Sequence, residues 1–232
     1  MSKIVAADMD GTILKRGESA LSFEVIETVK RLDNKEIVTV ISSGRAPEQM
    51  LDMFSFKTYN LWLSCLDGAI VYKDKKVVFG SYIDSKIAEK IINSLKSARN
   101  TNVLIQKERK TQKISEITDF DGILRISVFG ENAIFDGKKA THAYESEFVS
   151  ATVNGGWYEI NAFGTDKGAA LLKIAQICGI EDITAFGDNY NDIPMFRAAA
   201  VSYAVKNSPP GVISAADRVT DNPIKTIGSE FL

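Results

Sequence analysis

The sequence predicts an α/β protein: a doubly wound parallel sheet interrupted by an inserted α+β segment. Three observations predict it. Short β-branched runs alternate with amphipathic helical stretches over residues 1–80. That rhythm gives way to hairpins and one strong helix over 81–161, then returns over 162–232. A length of 232 residues suits one large domain, or a core with a modest second domain.

Each element has its own reason. "KIVAAD" (3–8) and "IVTVIS" (37–42) are short, almost continuous apolar runs of the kind a buried parallel strand needs. Between them, 20–36 places Val25, Ile26, Val29 and Leu32 at helical spacing. Pro47 suits the first turn of a helix over 46–56. "LWLSC" (61–65) is a third strand, and 69–80 reads as a hairpin turning at 73–76. In the insertion, 84–98 is an amphipathic helix capped by Asp84 or Ser85. Strands follow at 102–107 and 123–130, separated by a polar, weakly patterned stretch at 108–122. A hairpin of 147–153 and 156–163 turns at Asn154, Gly155 and Gly156. The returning core has a helix at 166–179 ending in Gly179, and a strand at 182–187. A helix at 192–200, a strand at 201–205, a short helix at 208–216 and a strand or loop at 218–221 complete it.

Composition excludes several classes. The net charge of −2, from 28 basic and 30 acidic residues, argues against a nucleic-acid or anionic-membrane partner. Residues 1–10 lack the basic-then-apolar pattern of a signal peptide, and no apolar run approaches the roughly 18 residues of a span. A cytoplasmic location follows as the expectation, with Cys65 and Cys178 as free thiols. The single histidine, His142, nearly excludes a histidine triad or a multi-histidine metal site.

Polar clusters fall at the carboxyl ends of the expected strands, where open α/β sheets bind ligands. They are Asp8 and Asp10 in "DMDGT", Ser42 to Arg45 in "SSGR", Asp67 in "CLDGA", and Asp188 and Asp192 in "GDNYND". Lys167 opens the helix after the insertion. Each alone is an ordinary turn or cap. Together, Asp8, Asp10, Asp188 and Asp192 would crowd four negative charges, which calls for a cation or for raised pKa values. An all-oxygen donor set suits a hard ion such as Mg²⁺. Lys167, the serine hydroxyls and helix N-termini suit a phosphate.

"DMDGT", "SSGR", "DKGAAL" and "GDNYND" resemble, in order and spacing, the four motifs of the haloacid dehalogenase-like phosphatases. More narrowly, the chain resembles their Cof-type, subfamily IIB branch, with a small C2B cap similar to those of phosphoglycolate and sucrose-phosphate phosphatases. The resemblance implies a Rossmann-like catalytic core over 1–80 and 162–232 and a specificity-setting cap over 81–161; both connections to the insertion contain glycine, at Gly80 and Gly164, and either could absorb hinge rotation. It implies Mg²⁺-dependent hydrolysis of a small phosphorylated metabolite through an aspartyl-phosphate. Asp8 would be the nucleophile and Asp10 the acid and base. Ser43, Gly44, Lys167 and Asn191 would hold the phosphate. Asp8, the Asp10 carbonyl and Asp188 would bind the metal, supported by Asp192. Asp67 departs from the asparagine usual in its loop.

Two other readings share these residues: a phosphomutase of the phosphomannomutase type, and a phospho-acceptor signalling module. The module is the weaker, because its acceptor aspartate normally ends the third strand. A monomer and a homodimer are equally compatible with the sequence.

Overall fold

The computed structural model describes residues 3–232, with the backbone alone at Asn154. The chain resolves into two compact units. One comprises 1–45, 49–79 and 166–232; the other comprises 46–48 and 80–165.

The first unit is built on eight strands. In chain order they are β1 (Ile4–Asp8), β2 (Val38–Ser42), β3 (Leu61–Cys65), β4 (Ile70–Lys73), β5 (Lys76–Gly80), then β11 (Ile183–Gly187), β12 (Val201–Val205) and β13 (Arg218–Thr220). Their spatial order is β13-β12-β11-β1-β2-β3-β4-β5. All pairs from β13 to β3 are parallel, and β4 turns back antiparallel to β3. The five residues of each of β1, β2, β3 and β11 are buried throughout, so these strands read as continuous rather than alternating apolar runs.

The helices of this unit are α1 (Phe23–Asn34), α5 (Lys167–Cys178), α6 (Ile193–Ala198), α7 (Pro210–Ile213), α8 (Pro223–Phe231) and, from Gln49 onward, α2 (Pro47–Met53). Ile4, Ala6, Val38, Val40, Trp62 and Ala185 pack on Ala170, Leu171 and Ile174 of α5 and on Met195 and Phe196 of α6. α1 and α8 lie side by side. Ser22 sets the start of α1 later than residue 20, because its Oγ accepts from the Val25 N–H. The 218–221 segment forms β13, paired with β12.

The second unit holds a five-stranded antiparallel sheet of β6 (Thr101–Lys107), β7 (Lys110–Lys113), β8 (Arg125–Gly130), β9 (Val149–Asn154) and β10 (Trp157–Ala162). The order is β7-β6-β8-β10-β9. Helices α3 (Ser85–Leu95) and α4 (Ala133–Thr141) cover one face. Ile87, Ile91 and Ile92 of α3 meet Val103, Ile105, Ile126, Val128, Tyr158 and Ile160 there. Asp84 caps α3, its Oδ1 accepting from the Lys86 and Ile87 N–H groups.

Three elements are absent from the sequence pattern: α4, α8 and β7. β7 is an edge strand of four polar residues with no apolar face to betray it, and its lysines suit an unpaired edge.

Candidate active site

β1 lies between β2 and β11, where the strand order reverses. Asp8 is its last residue and is buried. The chain turns at once, with the Gly11 N–H on the Leu14 carbonyl at 2.7 Å and the Leu14 N–H on the Met9 carbonyl at 2.8 Å. Gly11 has φ +104°, and a Cβ there would sit 2.3 Å from Asp188 Oδ2. Only glycine lets this turn approach the Asp188 carboxylate.

Lys167 is the first residue of α5, where the helix dipole disfavours a cation, and it is fully buried. Carboxylates account for its place. Its Nζ lies 2.6 Å from Asp8 Oδ1, 2.6 Å from Asp192 Oδ1 and 3.9 Å from Asp67 Oδ1. Burial is the largest influence and opposes its charge. The attraction of Asp192, Asp8 and Asp67 outweighs it and holds the ammonium above the ordinary lysine range. Asp8 is pushed well above the ordinary carboxylate range, first by burial and then by Asp192, with Lys167 opposing and Asp188 adding. Beside burial, which raises Asp8 and opposes the charge on Lys167, both shifts reflect carboxylates that outnumber the cations among them.

Asp192 is used on both oxygens. Oδ1 meets Lys167, and Oδ2 accepts from the Asp188 and Asn189 N–H groups at 2.9 Å each. It therefore fixes the 188–192 loop as well as the lysine. Asp188 accepts from Thr12 Oγ1 at 3.3 Å and from Arg16 Nη2 at 2.7 Å. The Asp10 carboxylate turns instead to Arg45, which grips it through Nη2 at 2.7 Å and Nε at 2.9 Å. Ser43 Oγ lies 3.5 Å from Asp10 Oδ2 and accepts from the Arg45 N–H. A Cβ on Gly44 would come within 3.2 Å of Asp67 Oδ2. Asn191 donates from Nδ2 to Asp67 Oδ1 at 2.9 Å.

The structure thus gathers Asp8, Lys167, Asp188 and Asp192 into one connected group. Asp10, Ser43 and Arg45 form a second, and Gly44, Asp67 and Asn191 a third, joined to the first through Lys167. One oxygen from each of Asp8, Asp188 and Asp192 lies within 4.8 Å of the others. At that separation two unit charges repel by about 3.5 kcal/mol at an effective dielectric of 20. Asp8 Oδ2 is buried without a hydrogen-bond partner. Three carboxylates this close, with no sulfur or imidazole among the donors, fit a hard divalent cation.

Arg45, the last residue of the "SSGR" cluster, has Asp10 as its partner. The grips of Arg16 and Thr12 on Asp188 carry no sequence signal, because 172 and 176 residues separate the partners. His142 is exposed at the end of α4, and Trp62 is a core residue. Cys65 and Cys178 are free thiols, as expected. Among the described residues, no helix is long and apolar enough to cross a membrane.

A model of the haloacid dehalogenase-like hydrolases matches residues 5–121 and 107–225. Among curated proteins, the chain is 26% identical over 242 residues to the 5-amino-6-(5-phospho-D-ribitylamino)uracil phosphatase YcsE of Bacillus subtilis, covering 96% of this chain and 91% of that one. It is 26% identical over 232 residues to a phosphoglycolate phosphatase of Archaeoglobus fulgidus, covering 95% and 91%. Among solved structures, a haloacid dehalogenase-like hydrolase from Bacteroides thetaiotaomicron superposes with a TM-score of 0.85 at 17% identity, covering all of both chains. The subclass IIB sugar phosphatase BT4131 superposes at 0.76 with 19% identity, covering 98% and 96%. The buried carboxylates around Lys167, the doubly wound core and the family match agree: the chain belongs to the haloacid dehalogenase-like hydrolases, as a phosphatase.

Proposed function

We propose that the protein is a Mg²⁺-dependent phosphatase that hydrolyses a small phosphorylated metabolite through an aspartyl-phosphate on Asp8. The observation that carries this reading is the Asp8 carboxylate itself. One oxygen is tied to Lys167, and the other is buried and without a partner at the carboxyl end of the central strand. Such an oxygen is placed to form a bond.

The chain's own residues divide the work. Lys167 holds Asp8 in one rotamer and offers positive charge to the incoming phosphate. Ser43, Gly44 and Asn191 complete the phosphate site around it. Asp8 Oδ2 attacks phosphorus, and the ester oxygen leaves with a proton delivered by Asp10. Asp10 then takes a proton from water as that water attacks the phosphorus of the aspartyl-phosphate, which frees Asp8 and inorganic phosphate. Asp8, the Asp10 backbone carbonyl and Asp188 would hold the cation, with Asp192 supporting them. When bound, it neutralises charge on the carboxylates and on the phosphate oxygens.

The segment 81–161 selects the leaving group in this reading, and 1–80 with 162–232 performs the chemistry. The curated relatives named above are named for substrates that carry phosphate on a ribityl chain or on glycolate. A sugar phosphate, phosphoglycolate or a similar short phosphorylated metabolite is the substrate class proposed here, with the cytoplasm as the site of action.

The test is phosphate release from a panel of such esters, compared with an Asp8→Asn variant of unchanged fold. Loss of turnover by several orders of magnitude is expected. A variant that turns over normally refutes the assignment.

A further inference from the structure

Four carboxylates of the site are matched to basic side chains. Asp8 and Asp192 share Lys167, Asp10 has Arg45, and Asp188 has Arg16. The matches differ in how firmly they are built. Lys167 is fully buried, and Arg45 is partly buried with two nitrogens on its carboxylate. The Arg16 side chain is 71% exposed and meets Asp188 Oδ2 through Nη2 alone, at 2.7 Å. Its loop runs through exposed residues 15–20, and Gly17 there has φ +88° with open space around it.

Asp188 is the fixed member of the pair. The Gly11 turn presses on its carboxylate, and its backbone N–H is held on Asp192 Oδ2 at 2.9 Å. Its other oxygen, Oδ1, accepts from Thr12 Oγ1 at 3.3 Å. The metal reading asks this same carboxylate to hold a divalent ion. Mg²⁺ sits about 2.1 Å from its oxygen ligands, so an ion on Oδ2 would lie within about 5 Å of the guanidinium nitrogen. An ion on Oδ1 would face the same guanidinium across one carboxyl group. Like charges this close repel, and one of the two must yield. An exposed ion pair with a single contact contributes little, and water replaces it readily. The ion draws on three carboxylates at once. Arg16 is therefore the partner that yields.

Resting on the Mg²⁺-dependent phosphatase reading above, we propose that Arg16 is a positioning residue that acts through Asp188. It holds the carboxylate in place until a divalent ion arrives and then gives it up, so that competition between ion and guanidinium sets the cation affinity of the site. Arg16 thereby fixes the Mg²⁺ concentration at which the site fills.

Calorimetry of Mg²⁺ alone, with no phosphate or ester present, tests this on the whole chain. Arg16→Gln is expected to lower the Mg²⁺ Kd about threefold or more. Arg16→Lys keeps a cation in place and should stay within about twofold of wild type. Lys15→Gln removes one charge from the same exposed loop without touching Asp188, and should also stay within about twofold. Melting curves give a second readout. Arg16→Gln should melt below wild type in EDTA and together with it in saturating Mg²⁺, because Arg16 stabilises only the ion-free site. An arginine with a merely structural role would lower both.

A Kd that is unchanged or raised in Arg16→Gln overturns the proposal, since the guanidinium would then act alongside the ion. An equal gain in Lys15→Gln also overturns it, by reducing the effect to net charge. So does a melting deficit that is the same with and without Mg²⁺. A wild type that binds no Mg²⁺ overturns the proposal and the metal assignment together. A wild type that binds Mg²⁺ but hydrolyses no ester sinks the phosphatase reading, while the Kd comparison still decides the role of Arg16.

Discussion

Arg45 holds both carboxylate oxygens of Asp10, through Nη2 at 2.7 Å and Nε at 2.9 Å. A planar fork meets a planar carboxylate, so both the position and the plane of Asp10 are set. Lysine cannot reproduce this grip. Arg45→Lys and Arg45→Ala are each expected to lower kcat by about 10²-fold, as misplacing a reacting group does. The KM for a small aryl phosphate should change less than kcat. Steady-state kinetics on an aryl phosphate, with the melting temperature as a control, decides it. Unchanged kcat in Arg45→Ala removes Arg45 from the site.

Asp8, Asp188 and Asp192 repel one another in the apo protein, and a divalent cation relieves that repulsion. Millimolar Mg²⁺ is expected to raise the melting temperature, by an amount that grows with the logarithm of concentration above Kd. Asp188→Asn should abolish most of this rise. EDTA should stop phosphate release and Mg²⁺ restore it, whereas Ca²⁺, with its looser coordination, should inhibit. Full activity in metal-free buffer would contradict the assignment.

Gly137 sits in the middle of α4, where alanine is normally the better helix former by about 1 kcal/mol. Here the sign reverses. A Cβ would lie 2.2 Å from Cδ1 of the buried Tyr158 ring, and that ring is pinned by a hydrogen bond between its Oη and Thr141 Oγ1 at 2.9 Å. Gly137→Ala should destabilise the protein by roughly 1–3 kcal/mol. Urea unfolding measures it; a stabilised variant would mean that the ring moves aside freely.

Asp217 accepts from the Ser202 hydroxyl at 2.7 Å and from the Ser202 N–H at 2.9 Å. These bonds, the hydroxyl first, hold its carboxyl below the ordinary range. A lowered folded-state pKa contributes stability that is present above the unfolded value, near 3.9, and is lost as pH falls through the folded value. Asp217→Asn should therefore lower the melting temperature at pH 7, and the difference from wild type should shrink below about pH 4. A difference that does not vary with pH would show that charge plays no part.

The four polar clusters were legible because each follows an apolar run short enough to be a buried strand. Asp8 and Asp188 could be assigned to one sheet edge from sequence order alone. The partners of those residues were not legible. Nothing local in "SSGR" says that Arg45 turns back to Asp10, and nothing near Asp67 says that it faces Lys167 and Asn191. Those pairings exist only once strands distant in sequence are aligned. α4 was hidden by Asp136-Gly137, which reads as a turn pair, although the glycine is there to clear the Tyr158 ring. α8 was hidden by Pro223 and Gly228, which weaken its helical pattern, although Asn222 caps it through a bond to the Lys225 N–H.

The central place of β1 also bears on how the chain is made. Its neighbours are β2, which follows within forty residues, and β11, which begins at Ile183. During synthesis "IVAAD" can pair on one side early, but its other backbone edge stays unpaired until the whole insertion has been translated. Such a bare apolar edge is a template for pairing with another chain. Nascent chains that end before Ile183 should therefore be the species most in need of a chaperone, and the ones that aggregate when expressed as fragments.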